Sequence, residues 1–418
     1  MIMVISNQEV KKMAKTKVAI VKGSTKPDEK QVDALVKKAI ELAGGLDGII
    51  SPGNTVLIKP NLVWASPPES GTTTDPRICK TIANMVRELG AKPIIAESSI
   101  VSSDTEEVIK VAGYGKLREE GYEVIDLKKK GIELAKVPVP KGKVLKEVSL
   151  PKVVLDADVI ISVAKMKTHD NAKVTLSLKN MKGVMPDTYK RKFHHVFGVF
   201  QGVADLCTLV KPAFAVVDGI IGMEGLGPAD GEPVEMGLII AGKDPVAVDA
   251  VTNAVMGFEP EEWGCIAAAA KSGIGTADLN KIEVVGEPIS KVQRRFKRAE
   301  EAMAEIPFPE GFQLLMDEKA CSGCRNAVTE VLLAVKDAGQ LDRAAGWTVV
   351  AGKLDKLPDV DREKLLLIGA CTTKFRNEGF FVEGCSPNNR DIFRGMSCMG
   401  IDVVAGIDVD SVDAMGEV

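Results

Sequence analysis

The feature that most constrains this chain is an alternation running from residue 17 to about residue 286, in which short β-branched runs are followed by turns and helical patterns. "KVAIVKG" (17–23) predicts a strand, and "QVDALVKKAIELAGGL" (31–46) a helix with apolar residues at three- and four-residue spacing and glycines at its end. "NTVLIKPNLV" (54–63) predicts a second strand. "DPRICKTIANMVRELGA" (75–91) predicts a helix with Asp75 as N-cap and Pro76 at its first position. Strands are expected again at "KPIIAESS" (92–99), "YEVIDL" (122–127), "ADVIISVAK" (157–165), "FAVVDGI" (214–220), "MGLIIAG" (236–242) and "KIEVVG" (281–286). Near-continuous apolar strands alternating with helices imply an α/β fold, a mainly parallel sheet with helices on both faces. The Pro- and Lys-rich stretch 136–154 is expected to form a two-stranded excursion on the surface.

At 418 residues the chain is too long for one ordinary core. The expected division is an N-terminal extension (1–16), a large α/β domain (17–289), a charged linker helix (290–311) and a smaller C-terminal α/β domain (312–418) carrying a four-cysteine metal site. A net charge of −4 argues against nucleic-acid binding, which needs a basic surface. No apolar run reaches the roughly 18 residues of a membrane helix, and no signal-peptide pattern opens the chain. The expectation is a cytoplasmic protein with no membrane contact.

Eight cysteines in a reducing compartment are not a disulfide framework. Cys79, Cys207, Cys265 and Cys398 are scattered and read as small buried hydrophobes. The other four read as metal ligands. Cys321 and Cys324 form a C-x-x-C pair, a spacing that lets two thiolates grip one metal centre, while Cys371 and Cys385 each end an apolar strand. In a parallel sheet such strand ends lie side by side. Glycine-rich, loop-like surroundings, with Pro387 nearby, favour a [4Fe–4S] cluster; zinc is the alternative ligand of the same thiols.

A second constellation lies in the large domain. All three histidines fall between 169 and 195, and the segment 165–195 adds seven lysines. Strand ends deliver Lys59 and Asn61, then Lys165, Lys167 and His169, to one edge of a parallel sheet, where ligands of open α/β folds bind. Thr74 in "TTTDP", Lys179, Asn180 and Lys182 in "SLKNMKG", and Asp218 and Glu224 at another strand end join them. Singly, each lysine reads as a solvated amine. Together they build a pocket for a carboxylate- or phosphate-bearing small molecule. Lys179, His169 and His195 are the expected catalytic groups. His194 and His195 open a helix expected over 194–210, where adjacent side chains cannot face one ligand. Asp244 and Asp249 offer a base, a cation ligand or simple helix caps.

In their order, "VLIKPNL", "TTTDP", "IISVAKMKTH", "SLKNMKG", "VVDGI", "MEGLGP" and "DPVAVDA" resemble the prokaryotic family named domain of unknown function 362, over about residues 17 to 286. That resemblance implies iron–sulfur cysteines in a C-terminal extension, as "CSGC", "GAC" and "GCSPNN" supply. More distantly, the order His169, Lys179, His195 is similar to that of the nickel-pincer lactate racemase family. This implies Lys179 as the lysine carrying that cofactor, His195 as nickel ligand and His169 as acid/base; no histidine precedes His169 here.

The expected function is an oxygen-sensitive redox enzyme in which the cluster exchanges electrons with an anionic small molecule. Its expected partners are a ferredoxin-like electron donor and a second copy of the chain as a homodimer. The alternatives are a non-redox, racemase-like isomerase with a structural metal, and an electron-transfer or carrier module.

Overall fold

A computed structural model describes residues 15–402, apart from 102, 171, 194–196, 260, 261, 263, 317–319, 321, 386 and 388. Eleven strands precede residue 287: β1 Thr16–Lys22, β2 Thr55–Lys59, β3 Lys92–Glu97, β4 Val124–Asp126, β5 Leu134–Pro138, β6 Glu147–Pro151, β7 Val159–His169, β8 Lys173–Thr175, β9 Phe214–Glu224, β10 Glu232–Gly242 and β11 Ile282–Gly286. Nine of them form one sheet in the order β11-β1-β10-β9-β7-β2-β3-β4, with β8 paired to β7. Only β10 and β8 pair antiparallel with their neighbours in it. The remaining pair, β5 and β6, is the antiparallel surface excursion.

Every residue of β7 is buried, and successive residues enter opposite cores: Val163 packs on one face, Ala164 and Met166 on the other. That two-sided burial is what a continuous apolar run means in a covered parallel sheet. The helix Glu29–Leu42 starts at a capping box between Asp28 and Gln31, and Pro76–Glu88 starts with Asp75 accepting the Arg77 N–H. After β11 the chain forms two short helices, Ile289–Val292 and Ala299–Ala304, instead of one linker helix. Phe296 between them is fully buried in the large core, which holds the intervening residues against it.

A separate sheet of four parallel strands follows: β12 Gln313–Met316, β13 Thr348–Ala351, β14 Leu365–Ile368 and β15 Phe380–Val382, in that order. It has its own core, built on the helices Ser322–Asp337 and Asn389–Met396. Among the described residues no helix is long and apolar enough to cross a membrane.

Candidate functional site

The period of two along β7 places Lys165, Lys167 and His169 on one side of the strand at its carboxyl end. Each finds a different environment. Lys165 Nζ pairs with Asp218 Oδ2 at 2.9 Å, directly across on β9, and that carboxylate also accepts the Asp75 N–H at 2.9 Å. Lys167 Nζ donates to two neutral acceptors, Thr72 O at 2.7 Å and Pro228 O at 2.9 Å. Burial, helped by the charges of Lys179 and Lys165, holds its pKa well below that of an ordinary lysine.

Lys59, where β2 ends, reaches Glu97 Oε2 at 2.8 Å, Pro60 O at 2.7 Å and Asn180 Oδ1 at 3.1 Å. Lys59, Lys165 and Lys167 are at most 1% exposed. These three are therefore not solvated amines. Two are neutralised by carboxylates, and only Asp218 of that pair stands among the candidates read from sequence. Glu97 was missed. Its signal was a carboxylate at the end of the neighbouring strand, on an otherwise apolar run.

Asn180 braces the cluster, its Nδ2 donating to Lys59 O at 2.9 Å and Ser162 Oγ at 3.1 Å while its Oδ1 accepts from Asn61 Nδ2 at 3.2 Å. Thr74 is a second brace, donating from Oγ1 to Val163 O and accepting the Asn61 N–H, both at 2.9 Å. Glu224 sits elsewhere, binding Arg294 at 2.8 Å and the Lys297 N–H at 3.0 Å, and so ties down the segment after β11.

Lys179 differs from the other lysines of this edge. Its side-chain amine makes no hydrogen bond or ion pair with any described residue, and burial lowers its pKa. The short helix Ser177–Asn180 that carries it is fixed by Asp249, which accepts the Ser177 N–H at 2.8 Å, the Leu178 N–H at 2.9 Å and the Ser177 hydroxyl at 2.5 Å. Asp249 is thus a positioning carboxyl for Lys179. Asp244 caps the helix Pro245–Val255.

His169 is buried, and burial together with the charges of Lys179, Lys182, Lys167 and Arg325 drives its pKa well below the usual histidine value, so the imidazole is neutral. Its Nδ1 lies 2.7 Å from Asp170 Oδ1, a hydrogen bond when Nδ1 carries the ring proton, and 3.2 Å from the Ala172 N. Lys182 Nζ stands 5.9 Å from the centre of the Phe193 ring. Asn61 Oδ1, Thr72 Oγ1 and Thr175 Oγ1 are buried without a hydrogen-bond partner. Buried polar atoms left open among the described residues are what a polar ligand's site requires. His195 lies outside the described residues.

The cysteines occupy the small sheet. Cys371 and Cys385 follow the carboxyl ends of β14 and β15, and backbone bonds Gly369 N→Val382 O (2.8 Å) and Ala370 N→Gly384 O (2.7 Å) zip the two exits together. Cys324, buried in the first turn of Ser322–Asp337, brings its Sγ to 3.0 Å from where a Cβ on Gly369 would stand, and Pro387 Cδ is 3.7 Å from the same point. Three segments distant in sequence thus meet at one sheet edge. Among the described residues no three histidine, cysteine, aspartate or glutamate side chains close on a common metal position; Cys321 lies outside them. Thiols at a helix N-terminus and two adjoining strand exits fit the donor set of a cysteine-held cluster.

The family model described as a domain of unknown function (DUF362) matches residues 56–254, a span that contains Lys59, His169, Lys179 and Asp249 and stops before the small sheet. The chain is 28% identical over 246 residues to the thylakoid-associated protein sll1697 of Synechocystis sp., an alignment covering 58% of this chain and 75% of that one. A solved structure, the lactate racemase apoprotein from Thermoanaerobacterium thermosaccharolyticum, aligns over 85% of this chain and 69% of its own with 14% identity and a TM-score of 0.38.

Proposed function

On the premise that residues 56–254 are a DUF362 domain, we propose that the protein is an iron–sulfur redox enzyme acting on an anionic small molecule. Cys321, Cys324, Cys371 and Cys385 would hold a [4Fe–4S] cluster, and the substrate's charge would be met at Lys179 and Lys182. The observation that carries the reading is the convergence of Cys324 with the exits of β14 and β15. Bound there, such a cluster supplies single electrons at a potential set by burial and hydrogen bonds to sulfur.

The protein's own groups do the rest. Lys179 has no side-chain partner among the described residues to surrender, so a carboxylate or phosphate oxygen binds it without breaking an ion pair among them. The open Asn61, Thr72 and Thr175 oxygens orient the remainder of the molecule. In the neutral tautomer whose Nδ1–H faces Asp170, His169 offers its Nε2 lone pair to a substrate proton and Asp170 steadies the imidazolium that forms, which then returns the proton. Arg325, the residue after Cys324, adds its charge to those acting on His169, which links the cysteine edge to the acid–base group.

Anaerobic purification followed by iron and sulfide quantification tests this. The expected result is about four of each per chain, with a broad visible absorbance that bleaches on reduction by dithionite. Cys371→Ser and Cys385→Ser should each lose the iron while the far-ultraviolet circular dichroism is retained. A colourless zinc protein would overturn the redox reading and leave the isomerase reading at Lys179 and His169 in its place.

A further inference from the structure

A cleft of about 450 Å³ opens where β7 of the large sheet and β12 of the small sheet end. That volume is within the roughly 300–1,000 Å³ of small-molecule sites. Phe312, just before β12, and Leu314 and Met316 on it alternate along the chain and line the cleft, and Met303 and Phe308 close it from the helix Ala299–Ala304 and the turn after it. Phe308 and Phe312 stack with ring centres 4.7 Å apart and 24° between planes, presenting aromatic surface to the space.

Against this apolar wall stands Asp230, half-buried in the loop between β9 and β10. Its carboxyl makes no hydrogen bond or ion pair with any described residue. Burial, with the neighbouring charges of Glu330 and Asp170, pushes its pKa up to about 7. A carboxyl half-withdrawn from water without a partner is costly, and a cation supplied from outside relieves that cost. Of the charged side chains of the wall, Glu300 is neutralised by Lys173, which leaves Asp170 and Asp230 against Arg325, so the field there favours a positive guest. A bare metal ion finds too few oxygen ligands beside so much hydrocarbon.

We propose that this cleft binds a small organic amine with an aromatic or branched aliphatic body, its ammonium on Asp230 and its body against Phe308, Phe312 and Met316. The cleft borders the proposed redox site through Asp170 and Arg325 but includes neither the cysteines nor Lys179, and its test reads amine binding alone, so failure of one reading is told apart from failure of the other.

Calorimetric titration of the full chain with three probes of one shape tests it: 3-phenylpropylamine, 3-phenylpropan-1-ol and 3-phenylpropanoate. At mildly alkaline pH, where Asp230 is ionised, the amine should bind at least about tenfold more tightly than either other probe, or ~1.4 kcal/mol. Asp230→Asn should reduce the amine to the level of the alcohol, and Leu314→Trp should weaken all three by filling the space. Should either variant fail to fold, the charge series on the unaltered chain decides alone. No binding of the amine up to low millimolar concentration, or carboxylate binding as tight as amine binding, would overturn the assignment.

Discussion

Lys59 and Glu97 form an ion pair at 2.8 Å with side chains 0% and 4% exposed, 38 residues apart in sequence. Removing one member strands the other charge in the core. Lys59→Met should therefore cost about 3–5 kcal/mol, whereas Lys59→Met with Glu97→Leu should recover most of that loss; urea unfolding of both variants measures the difference. Lys179 makes the opposite prediction, because no described residue accepts a hydrogen bond from its amine. With its pKa lowered by burial, a larger share of it is the free amine at neutral pH than of an exposed lysine. Limited carbamylation by cyanate followed by peptide mass analysis should find Lys179 modified before Lys173, a surface lysine paired with Glu300. Equal rates would remove the case for an activated amine.

At the scale of elements, the loop and short helix over 177–183 are fixed from two sides. Asp249 holds the first turn, and Gly183 lets the chain pass so close to Lys59 and Glu97 that a Cβ would collide with Lys59 Nζ and Glu97 Oε1. Gly183→Ala is expected to destabilise by about 1–3 kcal/mol, read by thermal or urea melts, through displacement of that pair. Burial raises the pKa of Asp249 from 3.8 to about 7. Because the folded value exceeds the unfolded one, the folded chain keeps the proton between those limits while the unfolded chain releases it. Stability from this group therefore falls as pH rises through that window. Asp249→Asn should flatten that part of the stability–pH curve, and by leaving the Leu178 N–H facing an amide it should cost about 1–3 kcal/mol.

At the scale of the whole molecule, two sheets with separate cores are joined by a stretch whose Phe296 belongs to the large core and whose Ile306 belongs to the small one. A cofactor held only by the small sheet stabilises that sheet first. Trp347 is buried in the small core, so with Trp64 and Trp263 replaced by Phe its fluorescence reports on that half. Aerobic treatment with an iron chelator should lower the Trp347 melting midpoint more than the midpoint seen by far-ultraviolet circular dichroism, to which the nine-stranded sheet contributes heavily. Coincident shifts would mean that the halves unfold as one unit.

The sequence by itself determined the mainly parallel sheet, the strand ends at which Lys59, Lys165 and His169 emerge, the β5–β6 excursion, and the place of Cys371 and Cys385 after apolar strands. Those features rest on periodicities of two and of three to four residues, which a chain carries locally. Tertiary structure alone decided which of the clustered lysines are neutralised. Glu97 reaches Lys59 across 38 residues, Asp218 reaches Lys165 across 53, and Asp249 reaches Ser177 across 72. It also decided that Glu224 ties down Arg294 while the Lys179 amine has no partner among the described residues. No local pattern encodes such pairings, because strands and helices distant in sequence meet only in the folded sheet and its covering layer, and burial then fixes the charge each group can carry.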